Sequence, residues 1–145
     1  MNGDYVLEQL TFSSIYDSTK DITISKEILE ALSEVSKSSN ILSIFSTNAR
    51  AIYFFPVSSD VYKLSIQIFP LTPEIVAKIM TKIAEFSTKV VYSTGLCLVE
   101  NRCFWEGFLQ EKDLTKPISD IEEILQSIAE IKSIDIKKVH NSTWT

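Results

Sequence analysis

A chain of 145 residues with 45% hydrophobic and 23% charged residues and only 3 glycines has the make-up of one ordinary globular domain or two very small ones. It is long enough to bury a core without metals or disulfides. A formal net charge of −5 excludes a broad electrostatic grip on nucleic acid but leaves room for a small basic patch on a dimer. No apolar run approaches the ~20 residues of a membrane span, and MNGDYVLEQL shows no basic-then-apolar leader. Two cysteines and one histidine are too few for a structural zinc site. A cytoplasmic protein without metal or cofactor is therefore expected.

Tyr5–Ser13 sets Val6, Glu8, Leu10 and Phe12 against Leu7, Gln9 and Thr11, the period of two expected of a strand. In Asp17–Leu32, Ile22 and Ile24 predict a short strand. Ser25 then caps a helix whose apolar stripe is Ile28, Leu29, Leu32 and Val35, with Ile24 and Leu29 spaced as a hydrophobic staple. After a polar break at Ser36–Asn40, Ile41–Ser46 and Ala51–Val57 form a hairpin around Thr47-Asn48-Ala49-Arg50, in which Asn48 can take the left-handed turn conformation.

From Asp60 the pattern simplifies. In the strand Val61–Phe69, Leu64, Ile66 and Ile68 alternate with Lys63, Ser65 and Gln67, which calls for antiparallel partners and a helix on the apolar face. Pro70 ends it. Thr72-Pro73-Glu74 reads as an N-cap hydroxyl, a proline at the first helical position and a carboxylate in the first turn. The helix Pro73–Phe86 buries Ile75, Ile79, Ile83 and Phe86. A hairpin, Val90–Val99 and Arg102–Gln110, turns at Glu100-Asn101. Ser119 and Glu122 fit a capping box opening a helix over Asp120–Glu130, striped by Ile121, Ile124, Leu125 and Ile128, and the last strand is Ile134–Val139. Residues 60–140 thus read βαββαβ, the ferredoxin-like arrangement, and the fold class is α+β with a division at 1–58 and 59–145. A weak echo of Ser25-Lys26-Glu27-Ile28-Leu29 in Thr72-Pro73-Glu74-Ile75-Val76, and of SIFST in VVYST, leaves two duplicated βαββ units as an alternative.

The 90–110 hairpin is apolar on both alternating sets, so its outer face must be covered by the N-terminal part or by a second subunit. Tyr92 and Trp105 are the expected interface anchors. Gly95 and Gly107 inside those strands mark bulges, relief of crowding opposite a large aromatic, or a close approach of ligand or partner. A two-residue turn would put Cys97 and Cys103 on opposite faces; a three-residue turn would put them on one face, diagonally apart. Two buried apolar thiols are the expectation. Catalysis has little support: His140 is a solvated tail residue, Glu122-Glu123 complements a helix dipole, and glycines at 3, 95 and 107 build no phosphate loop.

Asp17, Ser18, Ile22, Thr23, Ile24, Lys26, Glu27, Ile28 and Leu32 resemble the opening D-S-K-G-R-[IV]-T-I-P-K-E-I-R-x-x-L of AbrB-type swapped-hairpin domains, and Ile52-Tyr53-Phe54-Phe55-Pro56-Val57 falls where that family ends its hairpin. The resemblance covers about residues 5–57. It implies an interlocked dimer and DNA contact, here through Lys20, Lys26 and Arg50, with Thr19-Lys20-Asp21 standing in place of K-G-R. Residues 60–140 resemble ACT-type regulatory domains by element order. That resemblance implies a small effector such as an amino acid where the first strand meets the first helix: Phe69, Pro70, Leu71 and Thr72, with Lys63 and Gln67 on the same strand. The expected function is a non-enzymatic homodimeric regulator coupling a small effector to a part that binds DNA weakly. The alternative is an oligomerisation or protein-binding module without DNA contact. No membrane partner is expected.

Overall fold

Leu64, Ile66 and Ile68, the apolar face of the most regular strand in the sequence, lie at the centre of the protein. The computed structural model describes residues 19, 21, 23–26, 28–31, 40–98 and 102–140. The strand expected at Tyr5–Ser13, residues Lys20, Ile22, Leu32 and Val35, and the turn residues Glu100 and Asn101 lie outside the described residues. Strands β1 (Asn40–Ser46) and β2 (Ala51–Val57) form an antiparallel hairpin. There follow β3 (Val61–Ile68), helix α1 (Pro73–Phe86), β4 (Tyr92–Cys97), β5 (Cys103–Gln110), a 3-10 turn at Glu111–Asp113, helix α2 (Ile118–Gln126) and β6 (Ile131–Lys138). The last four strands make one antiparallel sheet in the order β4-β5-β3-β6, the ferredoxin-like topology expected from the βαββαβ order.

Strand β3 is central because both of its neighbours pair with it in antiparallel register: Ile66 lies opposite Trp105 on β5 and opposite Ile134 on β6. Its apolar face packs under the two helices. Leu64, Ile66 and Ile68, Ile79, Ile83 and Phe86 from α1, Leu109 from β5, and Ile121, Leu125 and Ile128 from the α2 region form one buried cluster. The period of 3.6 in α1 and of 2 in β3 bring their apolar faces together there.

The second core lies on the other side of the sheet. Leu42, Ile44 and Val57 of the β1–β2 hairpin bury themselves against Val61 and Phe108, with Phe55, Val91, Tyr92 and Val139 at the margin. The Tyr92 ring sits 5.0 Å from Tyr53, 5.6 Å from Phe55 and 6.4 Å from Phe108, centroid to centroid. The hairpin thus covers one end of the outer face. At the other end Leu96 and Phe104 stay 46% and 41% exposed.

Four local expectations change. Residues 23–25 carry no strand, although Ser25 does cap a helical turn, its Oγ accepting from the Ile28 N–H at 3.4 Å. In the β1–β2 turn the positive φ, 52°, falls on Arg50 and not on Asn48. The capping box at Ser119 does not form. Pro117 holds the N-cap with φ −57°, the helix begins at Ile118, and Ser119 is already inside its first turn, with its hydroxyl donating to Asp120 Oδ1 at 3.2 Å. Cys97 and Cys103, expected as free thiols, are joined by a disulfide. The Leu98 N–H donates to Arg102 O at 2.7 Å, so pairing runs one step past the cysteines. The register of β4 on β5 sets the two cysteines directly opposite each other rather than diagonally apart.

Candidate functional site at the junction of β3 and α1

Pro70 cannot donate to a sheet and ends β3; the Phe69–Pro70 bond is cis. The Phe69 N–H is taken by Glu130 O at 2.9 Å, which ties the junction to the segment leading into β6. Thr72 is the N-cap: extended at φ −128°, it accepts from the Ile75 N–H through Oγ1 at 3.4 Å, while its carbonyl accepts from Val76 N at 3.0 Å. The Glu74 carboxyl is held below its ordinary range, first by its own backbone N–H and then by the Thr72 hydroxyl. Of the first-turn donors, the Glu74 N–H is thus taken by its own carboxylate and the Ile75 N–H by the Thr72 hydroxyl.

Beside the junction, on the helix side of the sheet, lies an apolar cavity of about 90 Å³. Leu71 forms one wall, Val76, Ile79 and Met80 of α1 a second, and Trp105 with the Cys97–Cys103 disulfide the third. Val76 and Met80 remain exposed at its mouth. Gly95 contributes backbone to the same wall, and a Cβ there would come within 3.3 Å of Phe104 O. Above the junction the Arg102 guanidinium lies 5.2 Å from the Phe69 ring centroid, a cation–π contact that brings a positive charge to the loop. The cavity can hold a small apolar group; it is well below the ~300 Å³ of a drug-sized pocket.

The residues expected to bind an effector are split by the sheet. Leu71 lines the cavity, Thr72 caps the adjoining helix, Phe69 carries Arg102, and Pro70 is exposed. Lys63 and Gln67 point to the outer face, because β3 alternates. The Lys63 ammonium pairs with Glu106 at 3.2 Å, and Gln67 Oε1 accepts from the Ser133 hydroxyl at 3.5 Å. Of the basic residues expected on DNA, Lys20 is outside the described residues. Lys26 is paired with Glu30 at 3.4 Å, and Arg50 is exposed in the β1–β2 turn. Tyr92 is engaged by the hairpin aromatics. Trp105 faces the helices, its indole lying across Gly107, where a Cβ would overlap the ring. Arg102 and Met80 were not among the expected site residues, and Cys97 and Cys103 were expected as free thiols. The signal for the disulfide was the six-residue separation of two cysteines across one hairpin. Among the described residues no group of three or more His, Cys, Asp or Glu side chains is placed to hold a metal. No helix among them is long and apolar enough to cross a membrane.

Fold and site define a class: an α+β protein with a ferredoxin-like βαββαβ sheet, an N-terminal hairpin packed on its outer face and an apolar cavity at its first strand–helix junction. No protein family and no curated protein matches the chain. Among solved structures it is similar to a formyltetrahydrofolate deformylase from Pseudomonas syringae pv. tomato str. DC3000, at 18% identity and a TM-score of 0.48. The match covers 56% of this chain and 28% of that one, so the chain spans well under two thirds of the deformylase.

Proposed function

We propose that the chain is a non-enzymatic, homodimeric regulatory protein of the cytoplasm, whose ACT-like part binds a small effector with an aliphatic group, such as a branched-chain amino acid. The observation that carries this reading is the apolar cavity walled by Leu71, Val76, Ile79, Met80 and Trp105, beside the strand–helix junction. The aliphatic end of the effector would fill the cavity. Its charged end would lie outside, where Arg102 offers a cation over Phe69. Self-association is supported by the contrast between the two edges of the sheet. Edge strand β6, IKSIDIKK, carries Lys132, Asp135, Lys137 and Lys138, whereas edge strand β4, YSTGLC, carries no charge and no proline to discourage pairing. Leu96 on this strand, Leu98 just past it and Phe104 on β5 are exposed.

Coupling to DNA through the AbrB-like part, with Lys20, Lys26 and Arg50 as the contacts, is the further step of this reading. The assembly module without DNA contact is the second reading, and the Lys26–Glu30 pair favours it, since a shared ammonium gives less to phosphate.

A thermal-shift series with leucine, isoleucine, valine and methionine tests the effector. An effector at about 100 times its dissociation constant should stabilise the fold by ~2.7 kcal/mol, and Met80→Glu, which puts a carboxylate at the mouth of the cavity, should abolish the shift. No shift with any of the four overturns the effector. Light scattering at micromolar protein should give a dimer, and a monomer there removes the homodimer. A gel shift with mixed duplex at low salt separates the two readings: weak, salt-sensitive binding supports the regulator, and none supports the module.

A further inference from the structure

We propose that Cys97 and Cys103 are a reversible redox pair that clamps the free end of β4, and that reducing them loosens Thr94–Leu98 and opens the apolar cavity. This stands on the hairpin alone, whether or not the cavity holds an effector. Among the described residues β4 is an edge strand, paired only with β5. Toward the helices it presents Ser93, Gly95 and Cys97, the residues opposite Gly107, Trp105 and Cys103. None of the three carries a large apolar side chain, so on this face the sulfur of Cys97 is the strand's only substantial attachment. On the other face the two ends of β4 differ. Tyr92 is held by Tyr53, Phe55 and Phe108, while Leu96, opposite Phe104, is largely in solvent. Aromatic packing therefore fixes one end of the strand and the disulfide fixes the other. Without the covalent link, the far end keeps, within its own chain, only the ladder hydrogen bonds to β5, the condition under which strand ends open locally.

The two sulfurs differ in access. Cys103 is 3% exposed, whereas Cys97 is on the surface of the edge strand. A thiolate of a dithiol reductant attacks Cys97 Sγ, and the electron pair of the S–S bond leaves on Cys103 Sγ, which takes a proton. The second thiol of the reductant then displaces Cys97 from the mixed disulfide. The protein gains two electrons and two protons, and the reductant leaves as its own disulfide. The reverse exchange with a low-molecular-weight disulfide re-forms the bond when the strand end re-pairs, because the register of β4 on β5 returns Cys97 to its place opposite Cys103. Gly95, Leu96 and both cysteines belong to the cavity wall, so movement of this strand end changes the cavity.

The test uses the full chain in glutathione buffers of graded ratio, with thiols trapped by alkylation and counted by mass, and hydrogen exchange measured on the fully oxidised and the dithiothreitol-reduced protein. Both cysteines should pass together from disulfide to thiol. Peptides covering Thr94–Leu98 should exchange about tenfold faster or more after reduction, while those covering Val61–Ile68 stay unchanged. The Cys97→Ser/Cys103→Ser double variant should exchange like the reduced chain, with or without dithiothreitol. A disulfide that survives dithiothreitol in the folded protein overturns the proposal. So does unchanged exchange at Thr94–Leu98 on reduction of the unmutated chain, which needs no variant to fold.

Discussion

Trp105 shows how much one side chain decides at the residue scale. It alternates with Phe104 on β5 and so must face either the helices or the outer surface; the register with Ile66 sends it to the helices. A ring of that size needs room, and Gly107, two residues along on the same face, supplies it by having no Cβ. Gly107→Ala is therefore expected to destabilise the fold by ~2 kcal/mol, as overpacking of a closed site does, read as a lower midpoint in urea unfolding. Gly95→Ala meets only the Phe104 carbonyl at 3.3 Å and should cost less. Equal effects at the two glycines would show that the indole does not cross Gly107.

At the scale of elements the two long helices begin in different ways. Helix α1 opens on Thr72, whose hydroxyl satisfies the Ile75 N–H, followed by Pro73 and a first-turn Glu74. Helix α2 opens on Pro117 with no side-chain cap, and Ser119, the sequence's candidate for that role, only reaches the neighbouring carboxylate. Thr72→Ala should then cost about 1 kcal/mol, whereas Ser119→Ala should stay within about 0.5 kcal/mol of the parent. Paired denaturation curves check this. A loss at Ser119 as large as that at Thr72 would mean that the capping box forms after all.

For the molecule as a whole, the question is what fastens the N-terminal hairpin to the sheet. Apolar contact with Phe108 and Tyr92 supplies part of the answer, and Gln110 supplies a polar latch. Its side chain is buried, and Oε1 accepts from the Ser58 N–H at 2.9 Å, fixing the short link between β2 and β3. Nearby, the Asp60 carboxylate pairs with Lys138 at 2.7 Å and raises the lysine pKa, chiefly through that hydrogen bond. Gln110→Leu leaves the Ser58 N–H without its acceptor and is expected to cost about 1–3 kcal/mol. Limited proteolysis should then cut first around Ser58–Asp60. A variant as resistant as the parent would show that apolar packing alone holds the hairpin.

Much of this was legible in the residues. The alternation of Leu64, Ile66 and Ile68, the Thr72-Pro73-Glu74 helix start and the stripes of both helices are local patterns, and local sterics and capping act on them before any tertiary contact exists. Their order was enough for the βαββαβ sheet, and the bounds of α1 came out as predicted. Other features depended on residues far apart meeting. Whether Cys97 and Cys103 could bond turned on the register of β4 against β5, where a shift of one residue sends the two sulfurs to opposite faces. The apolar cavity needs Leu71, Met80 and Trp105, which no periodicity relates. The separation of Lys63 and Gln67 from that cavity follows from the pleat, but only once the helices had chosen their side of the sheet. The outer face of the β4–β5 hairpin read as apolar in the sequence; that β1 and β2 cover its Tyr92–Phe108 end and leave Leu96 and Phe104 open is decided by packing alone.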